Sequence, residues 1–410
     1  MIALEKLNKI IYNNYFFCIL LILPFVEPLY FTQIPAVNAC FSYLKLAVMA
    51  FVIFDWFVSG RYHKNFLFLG AFLLLDCVVT FLNEGNINQM VINAMTLMSM
   101  VILFSNGAKT GSVVFLRTVS TILDIMIVIN FMVIVLYPSG IYNFDAVNHH
   151  YFLGSRNVMM RTIFPGVCFS ILRSKAEHDR LSIRTWAVIL ISPASLVLVW
   201  SATALVGYGV FLIFLLLYVF DLFPKWMTFK TCLIILVTVF FAIIVFKLQN
   251  IFSFLIVDIM HKDITFTGRV YLWDSCMNYI PQSFLFGYGM EYLEIIAGKL
   301  YLYTQYDSAH NFILDIFYQN GFVGVVLLSA IFISVQKRID HAYSPKYKNM
   351  FVLFMLCYVT MLNFEPFING DMRLFMSMIF YMYFFDENKI EQNRHILKKR
   401  KKIIFKARLI

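Results

Sequence analysis

The chain has little charge for its length. Only 14% of its 410 residues are Asp, Glu, Lys or Arg, whereas 61% are hydrophobic and 18% are aromatic. Soluble domains carry about 25% charged residues, so this composition excludes an ordinary soluble domain and indicates an integral membrane protein. The first apolar run, residues 16–31, has no small-residue cleavage pattern, and we interpret it as a first membrane span, not as a removed signal peptide.

Several sequence signals of chemistry are missing. The chain has no GxxxxGK(S/T) phosphate loop, so ATP hydrolysis is not predicted. It has no HExxH motif, no CxxC pair and no paired acidic motif, so we predict neither a metal nor a cofactor. The seven cysteines show neither metal spacing nor a disulfide framework, although a bridge between Cys40 and Cys276 stays open as an alternative.

The net charge of +10 does not predict nucleic-acid binding. Nine of the 33 Lys and Arg residues lie in the tail after Asp386. A basic tail beside a final membrane span is typical of a segment facing the anionic inner leaflet of the membrane.

Twelve apolar runs approach the length of about 20 residues that a helix needs to cross a bilayer. They are roughly 15–31, 41–58, 66–82, 87–104, 118–136, 157–173, 185–200, 203–220, 230–247, 311–335, 350–363 and 372–385. The fourth run is unusual because it carries Asn88, Gln89 and Asn93. With the N-terminus inside, 25 Lys and Arg residues fall on cytoplasmic segments and eight on outer ones, which predicts that both termini are cytoplasmic.

We therefore predict an all-α polytopic membrane protein with about twelve transmembrane helices and one large extracytoplasmic loop. Residues 1–247 hold the first nine membrane helices, residues 248–309 form the loop, residues 310–385 hold the last three helices, and residues 386–410 form a basic cytoplasmic tail. A loop of this length in a compact fold is usually functional or disordered.

The composition of this loop predicts short helices. One set of apolar residues recurs at helical spacing until Pro281 ends the pattern: Val270, Trp273, Met277 and Ile280. A second amphipathic stretch covers residues 291–300, in which we interpret Glu291 and Glu294 as a solvated face.

Two residues of the outer segment are candidates for catalysis. Arg269 follows Thr267-Gly268 at a predicted helix start, and its guanidinium suits a phosphate; the alternative is a surface arginine paired with Asp274 or a lipid headgroup. His310 lies at the predicted start of a span, capped by Asp307 or Ser308, where a neutral imidazole can accept a proton. The alternative is an interfacial histidine with only a structural role.

Further residues are candidates for substrate binding. Arg156 and Arg161 flank the outer start of the sixth span, with lipid snorkelling as the alternative for Arg156. Glu365 and Arg373 lie in or beside the last outer loop, where a solvated loop is the simpler interpretation.

A polar stripe runs along the tenth span. Asn311, Asp315 and Gln319 are spaced four residues apart and share a helix face, so they are expected to face a cavity or partner helices. Gly321 and Gly324 follow and allow close helix contact.

These motifs together resemble the O-antigen ligase and polysaccharide polymerase family. The family tends to show Arg, an aromatic, Pro, Gly-x-Gly, His-Asn and Gly-x-x-Gly in that order, matched here by Arg269, Trp273, Pro281, Gly287, Gly289, His310, Asn311, Gly321 and Gly324. Gly154-Ser155-Arg156-Asn157 also resembles the family. The hairpin at residues 200–204 departs from it, because many members carry an arginine there and this chain has none.

The resemblance implies a C-type glycosyltransferase-like fold in the bacterial plasma (inner) membrane, with the active site outside. It implies a metal-independent transfer from an undecaprenyl-pyrophosphate-linked sugar to a hydroxyl of another glycan. In that mechanism His310 orients or deprotonates the hydroxyl, Arg269 stabilises the pyrophosphate charge, and Arg156, Arg161, Asn311, Glu365 and Arg373 bind substrate.

The leading hypothesis is a polymerase of lipid-linked repeat units for capsular polysaccharide, exopolysaccharide or O-antigen. A ligase that moves a finished glycan onto another acceptor shares the chemistry. A lipid-linked oligosaccharide transporter, or flippase, is the alternative from another class, although the chain shows no half-to-half symmetry. The predicted partners are the lipid-linked donor and acceptor and membrane lipid, with a chain-length regulator and a flippase as candidate protein partners and no nucleic acid.

Overall fold

The computed structural model of the chain describes residues 10–60, 62–142, 149–248, 251, 268–300 and 308–394. Over these residues the fold is almost entirely α-helical, with one short antiparallel ribbon of β1 (His150–Tyr151) and β2 (Gly154–Ser155). The helices are α1 Tyr15–Ile22, α2 Leu29–Thr32, α3 Pro35–Ser59, α4 Lys64–Leu82, α5 Ile87–Thr110, α6 Val113–Leu136, α7 Met160–His178, α8 Ile183–Leu198, α9 Ala202–Val219, α10 Phe229–Phe240, α11 Arg269–Tyr279, α12 Leu293–Leu300, α13 Phe312–Ala342, α14 Pro345–Phe364 and α15 Arg373–Phe384.

Helices lie at all twelve predicted span positions. Among the described residues, seven helices are long and apolar enough to cross a membrane: α3, α4, α5, α6, α9, α13 and α14. Three further apolar segments are shorter, at Tyr15–Phe25, Ile183–Leu198 and Phe229–Val245. The prediction of an all-α multi-pass membrane protein is confirmed, whereas the count of twelve spans is not.

The first predicted span is interrupted. Helix α1 ends at Ile22, and a 3₁₀ turn over Leu23–Phe25 separates it from the four-residue helix α2. Pro24 and Pro28 cause the interruption, because proline has no backbone N–H to donate inside a helix.

The chain divides into two compact units whose segments alternate along the sequence. Unit 1 contains residues 1–61, 99–201 and 374–410, and unit 2 contains residues 62–98 and 202–373. The predicted segment boundaries at residues 247, 309 and 385 follow membrane topology, and they stay predictions.

Ion pairs join three helices of unit 1. Asp124 of α6 is buried and accepts a hydrogen bond from Arg184 of α8 at 2.9 Å. Glu177 of α7 pairs with Arg117 of α6 at 2.7 Å and with Arg173 of its own helix at 3.2 Å. Because each carboxylate meets a guanidinium, these charge-assisted contacts help to hold the three helices together.

Unit 2 packs α4 against α13, and α9 and α10 against α14. Helices α11 and α12 rest on α13 through a hydrophobic cluster that includes Leu272, Trp273, Cys276 and Ile280. The two short helices predicted in the outer segment are therefore present. The buried face of α11 differs from the predicted one at Met277, which is 41% exposed.

Helix α13 is broken at Gly321. This residue has φ 60° and ψ −165°, a conformation open essentially only to glycine. The loop before α12 replaces the lost helical hydrogen bonds. The N–H groups of Tyr288 and Gly289 donate to the carbonyls of Tyr318 and Gln319, at 2.9 and 2.8 Å respectively. In the other direction, the N–H groups of residues 322 and 323 donate to the carbonyls of residues 284 and 285. The break therefore leaves these backbone groups satisfied, which a membrane span requires.

The two glycines of the Gly-x-Gly motif allow this close approach. A Cβ at Gly287 would lie 2.5 Å from the Gln319 carbonyl, and one at Gly289 would lie 2.5 Å from the Thr80 backbone of α4. The loop is thus wedged between α4 and the broken helix α13.

Candidate functional site

The turn into α13 places His310 directly before the helix. Asn311 is the N-cap, because its side-chain oxygen accepts a hydrogen bond from the Leu314 N–H at 3.0 Å. The predicted cap at Ser308 is therefore wrong, and the alternative, Asp307, lies outside the described residues. His310 has φ 51°, in the left-handed region that non-glycine residues seldom adopt.

Three buried side chains hold this left-handed turn. Trp273 donates from Nε1 to the Ala309 carbonyl at 3.0 Å, and Asp315 accepts from the Ala309 N–H. Asn311 donates from Nδ2 to the Asn363 carbonyl at 2.9 Å. Because both sides of the turn are hydrogen-bonded, the position of the imidazole is set jointly by α11, α13 and α14.

Arg269, His310 and Glu365 lie together in a largely buried polar group, termed here the Arg–Glu–His cluster. Arg269 Nη2 lies 3.1 Å from Glu365 Oε1, and Arg269 Nη1 donates to the Phe364 carbonyl. His310 Nδ1 lies 3.9 Å from Glu365 Oε2, a distance typical of an ion pair and longer than a hydrogen bond. Glu365 is only 4% exposed. The carboxylate therefore lies between a cation and an imidazole, with little access to water.

Glu365 stays ionised in this position. Burial alone would raise the pKa of its carboxyl, but the Arg269 guanidinium and then His310 outweigh burial and lower the pKa to about 2. Glu365 lies on the Nδ1 side of the imidazole, which leaves the opposite ring nitrogen, Nε2, for a proton transfer.

Helix α11 contains both the arginine and the aromatic residue of the predicted motif. Arg269 and Trp273 are four residues apart and share one helix face. The helix begins after Gly268, which has φ 85°. Asp274, the alternative partner considered for Arg269, pairs instead with Lys247 at 2.8 Å.

The remaining residues of unit 2 that were predicted to bind substrate have internal contacts. The solvated-loop interpretation is wrong for Glu365, which is buried. The Asn311 amide is engaged by the cap and by α14. Arg373 begins α15 and donates from Nε to the Gly370 carbonyl. The predicted substrate contacts of these residues stay predictions.

Arg156 and Arg161 belong to unit 1. Arg156 is exposed between β2 and α7, and Arg161 is half-buried. The predicted span put Arg161 five residues inside a helix, but α7 begins at Met160, so Arg161 lies in its first turn. The contribution of both arginines to the site stays a prediction.

Unit 2 also contains a polar cavity of about 460 Å³. It is lined by five carboxamide side chains and three charged ones: Asn86, Gln89, Asn93, Gln319, Asn369, Glu291, Asp371 and Arg373. We refer to it as the amide cavity. The sequence signal for it was the unusual polarity of the fourth predicted span, which contributes Gln89 and Asn93.

The prediction of a solvated face on residues 291–300 is wrong for Glu291. Its side chain is 6% exposed, pairs with Lys299, and accepts a hydrogen bond from the Tyr318 hydroxyl at 2.6 Å. The Lys299 ammonium in turn lies 4.3 Å from the ring centre of Tyr288. Glu294 is exposed, as predicted.

The fold and the cluster define a multi-pass membrane protein with a buried charged group at its helix ends. A family model described as O-antigen ligase matches residues 186–329, which begin in α8 and end within α13. The predicted family resemblance is confirmed over this segment, about a third of the chain. The match includes Arg269 and His310 but not Glu365. No curated protein matches the chain significantly.

The family match and the apolar helices together indicate an enzyme of lipid-linked glycan processing in the bacterial inner membrane.

Proposed function

We propose that the chain polymerises undecaprenyl-pyrophosphate-linked oligosaccharide repeat units for capsular polysaccharide, exopolysaccharide or O-antigen. The Arg–Glu–His cluster carries the proposal. It combines a cation suited to phosphate with an imidazole suited to proton transfer, and both of these residues lie in the O-antigen ligase region.

In the proposed reaction, a hydroxyl oxygen of the acceptor glycan attacks the anomeric carbon of the donor sugar. The bond from that carbon to the pyrophosphate oxygen breaks, and its electron pair leaves with the pyrophosphate. The hydroxyl proton passes to Nε2 of His310, and Glu365 stabilises the imidazolium that forms. The step as written needs no metal, since pyrophosphate is already a good leaving group.

The role of Arg269 is to stabilise charge on the leaving pyrophosphate. A guanidinium has five N–H donors, and two of them contact Phe364 and Glu365. Because Glu365 neutralises part of this charge, the pyrophosphate needs further cations. The predicted roles of Arg156 and Arg161 in binding substrate remain part of the proposal.

An apolar cavity of about 400 Å³ supports a site for the lipid chain. It lies between α10 and α13 and is lined by aromatic residues that include Phe240, Phe312 and Phe332. Phe312 is two residues from His310, so a prenyl chain in this cavity would have its pyrophosphate end near the cluster.

The proposal includes a twelve-span topology with a C-type glycosyltransferase-like fold, both termini in the cytoplasm and the cluster facing outside. A chain-length regulator and a flippase are the proposed protein partners. The excess of Lys and Arg on the predicted cytoplasmic segments supports this orientation.

The test is the length of glycan product in cells that carry His310→Ala or Arg269→Ala at matched membrane levels. Loss of a catalytic base or of one electrostatic contact typically lowers rate by ~10²–10³. We expect long polymer to vanish while single lipid-linked units accumulate and stay accessible from outside. The matched control is His341→Ala, a histidine in the last turn of the same helix, at the opposite end from His310.

Three other outcomes would contradict the proposal. An unchanged ladder would make both residues structural. Long chains that remain on the carrier lipid would favour a ligase. The ligase is the second candidate function because the matched family is described as O-antigen ligase. Units that no longer reach the outer surface would favour a transporter.

A further inference from the structure

The proposed mechanism does not use the amide cavity, which is lined by several elements of unit 2. Its lining comes from the start of α5, the loop before α12, α12 itself, the first part of α13 and the connection from α14 to α15. At its rim, the Met290 carbonyl accepts from the Asn86 N–H at 2.8 Å, and the Met290 N–H donates to Thr80 Oγ1 at 2.8 Å. A Cβ at Gly85 would lie 2.4 Å from the Met290 carbonyl oxygen. The rim is therefore closely packed and hydrogen-bonded at Met290.

Two carboxamides in the lining have an oxygen atom with no hydrogen-bond partner among the described residues. Gln319 is only 3% exposed, yet its Oε1 accepts no hydrogen bond from the described residues. The Oδ1 atom of Asn369 likewise accepts no hydrogen bond from the described residues, and the backbone of Asn369 has φ 51°. A buried acceptor left unsatisfied costs about 1–3 kcal/mol. Both atoms would be satisfied by a ligand that donates hydrogen bonds.

The charge of the lining argues against an anionic ligand. Glu291 and Asp371 are carboxylates, and Arg373 is the one cation among the described lining residues. Glu291 is already paired with Lys299. The cavity therefore has no excess of positive charge with which to bind a phosphate, unlike a site built from arginines.

We propose that the amide cavity binds an uncharged sugar unit of the glycan substrate, an inference that rests on the proposed function. Sugar hydroxyls both donate and accept hydrogen bonds, and carboxamides offer both capacities on one rigid plane. Met290, Leu293 and Ile296 add apolar surface for the C–H face of the ring.

The position of the cavity fits this role. Asn311, beside the cluster, and Gln319, in the cavity, lie eight residues apart on one face of α13, which corresponds to roughly 12 Å. The connection after α14 likewise has Glu365 at its start and Asn369 further along. The same two elements thus reach both places, and one short oligosaccharide can extend from the cluster into the cavity.

The experiment measures binding of free oligosaccharide to the full chain in lipid nanodiscs by calorimetry. The probe is the repeat-unit oligosaccharide released by mild acid from the carrier lipid of the same cells. The variants are Gln319→Leu and Asn93→Ala, which lie on different elements. The matched control is Gln336→Leu, a glutamine further along α13 that hydrogen-bonds to Asp340.

We expect the wild type and Gln336→Leu to bind the oligosaccharide equally. Gln319→Leu and Asn93→Ala should each weaken binding about tenfold, the equivalent of one or two lost hydrogen bonds. If Gln319→Leu and Asn93→Ala both bind as the wild type does, or the wild type does not bind, the cavity is not a sugar site. Displacement of the oligosaccharide by inorganic pyrophosphate would also overturn the proposal.

The two proposals fail separately. If His310→Ala leaves polymer length unchanged while Gln319→Leu weakens oligosaccharide binding, the proposed reaction is wrong and the sugar site stands. If His310→Ala abolishes polymer while both cavity variants bind normally, the reaction stands and the sugar site is wrong.

Discussion

Replacing Glu365 by Gln removes the carboxylate charge and keeps the side-chain shape. Arg269 would then be left 13% exposed with its ion-pair partner neutralised. A buried charge that loses its partner is strongly destabilising, because water cannot enter to solvate it.

The expected magnitude follows from the pKa of Glu365. The native environment lowers this pKa from 4.5 to about 2. One unit of pKa corresponds to about 1.4 kcal/mol, so the native cluster favours the charged carboxylate by about 3 kcal/mol. Breaking a buried ion pair by removing one partner costs about the same, 3–5 kcal/mol. We therefore expect Glu365→Gln to lower the free energy of unfolding by about 3 kcal/mol at pH 7.

The assay is equilibrium unfolding of the purified chain in mixed micelles titrated with denaturing detergent. The control is Asp274→Asn, which breaks the exposed ion pair with Lys247 and should cost less than about 1 kcal/mol. The double variant Glu365→Gln with Arg269→Met completes a double-mutant cycle. In the double variant neither buried charge is left alone. Its loss of unfolding free energy should therefore be smaller, by about 2 kcal/mol, than the sum of the losses in the two single variants.

Two results would refute this reasoning. The first is a free energy of unfolding for Glu365→Gln that lies within about 0.5 kcal/mol of the wild-type value. The second is additivity in the cycle, which would mean that Arg269 and Glu365 are not coupled.

Three further predictions concern the same region. Because the pKa of Glu365 is lowered on folding, the carboxylate stabilises the folded state above about pH 4.5, and this stabilisation is lost as the pH falls towards 2. The free energy of unfolding of the wild type should therefore fall across that pH range, whereas that of Glu365→Gln should not show this loss. Gly321→Ala should sharply reduce folded protein on size exclusion, since its Cβ would lie 2.4 Å from loop backbone, whereas Gly70→Ala, with open space, should be neutral. Trp273→Phe loses the hydrogen bond to Ala309 and should cost about 1–3 kcal/mol of unfolding free energy and shorten the polymer ladder.

Much of the protein could be predicted from its sequence because the relevant signals are local. Apolar length identifies a membrane helix whatever lies beside it. The four-residue spacing of Arg269 and Trp273 is a property of one helix. The ordered motifs from Arg269 to Gly324 identified the family that the match to residues 186–329 confirms.

The tertiary structure decided what these residues contact. Glu365 meets Arg269 across 96 residues of sequence, and no local pattern marks it as buried. Gly321 was expected to allow close helix contact. In the structure it breaks its helix, and the loop at 284–289 supplies the hydrogen bonds that replace the lost helical ones. The amide cavity gathers side chains from several elements that are far apart in the sequence. Burial, ion pairing and cavity formation depend on distances between elements, and those distances exist only once the chain has packed.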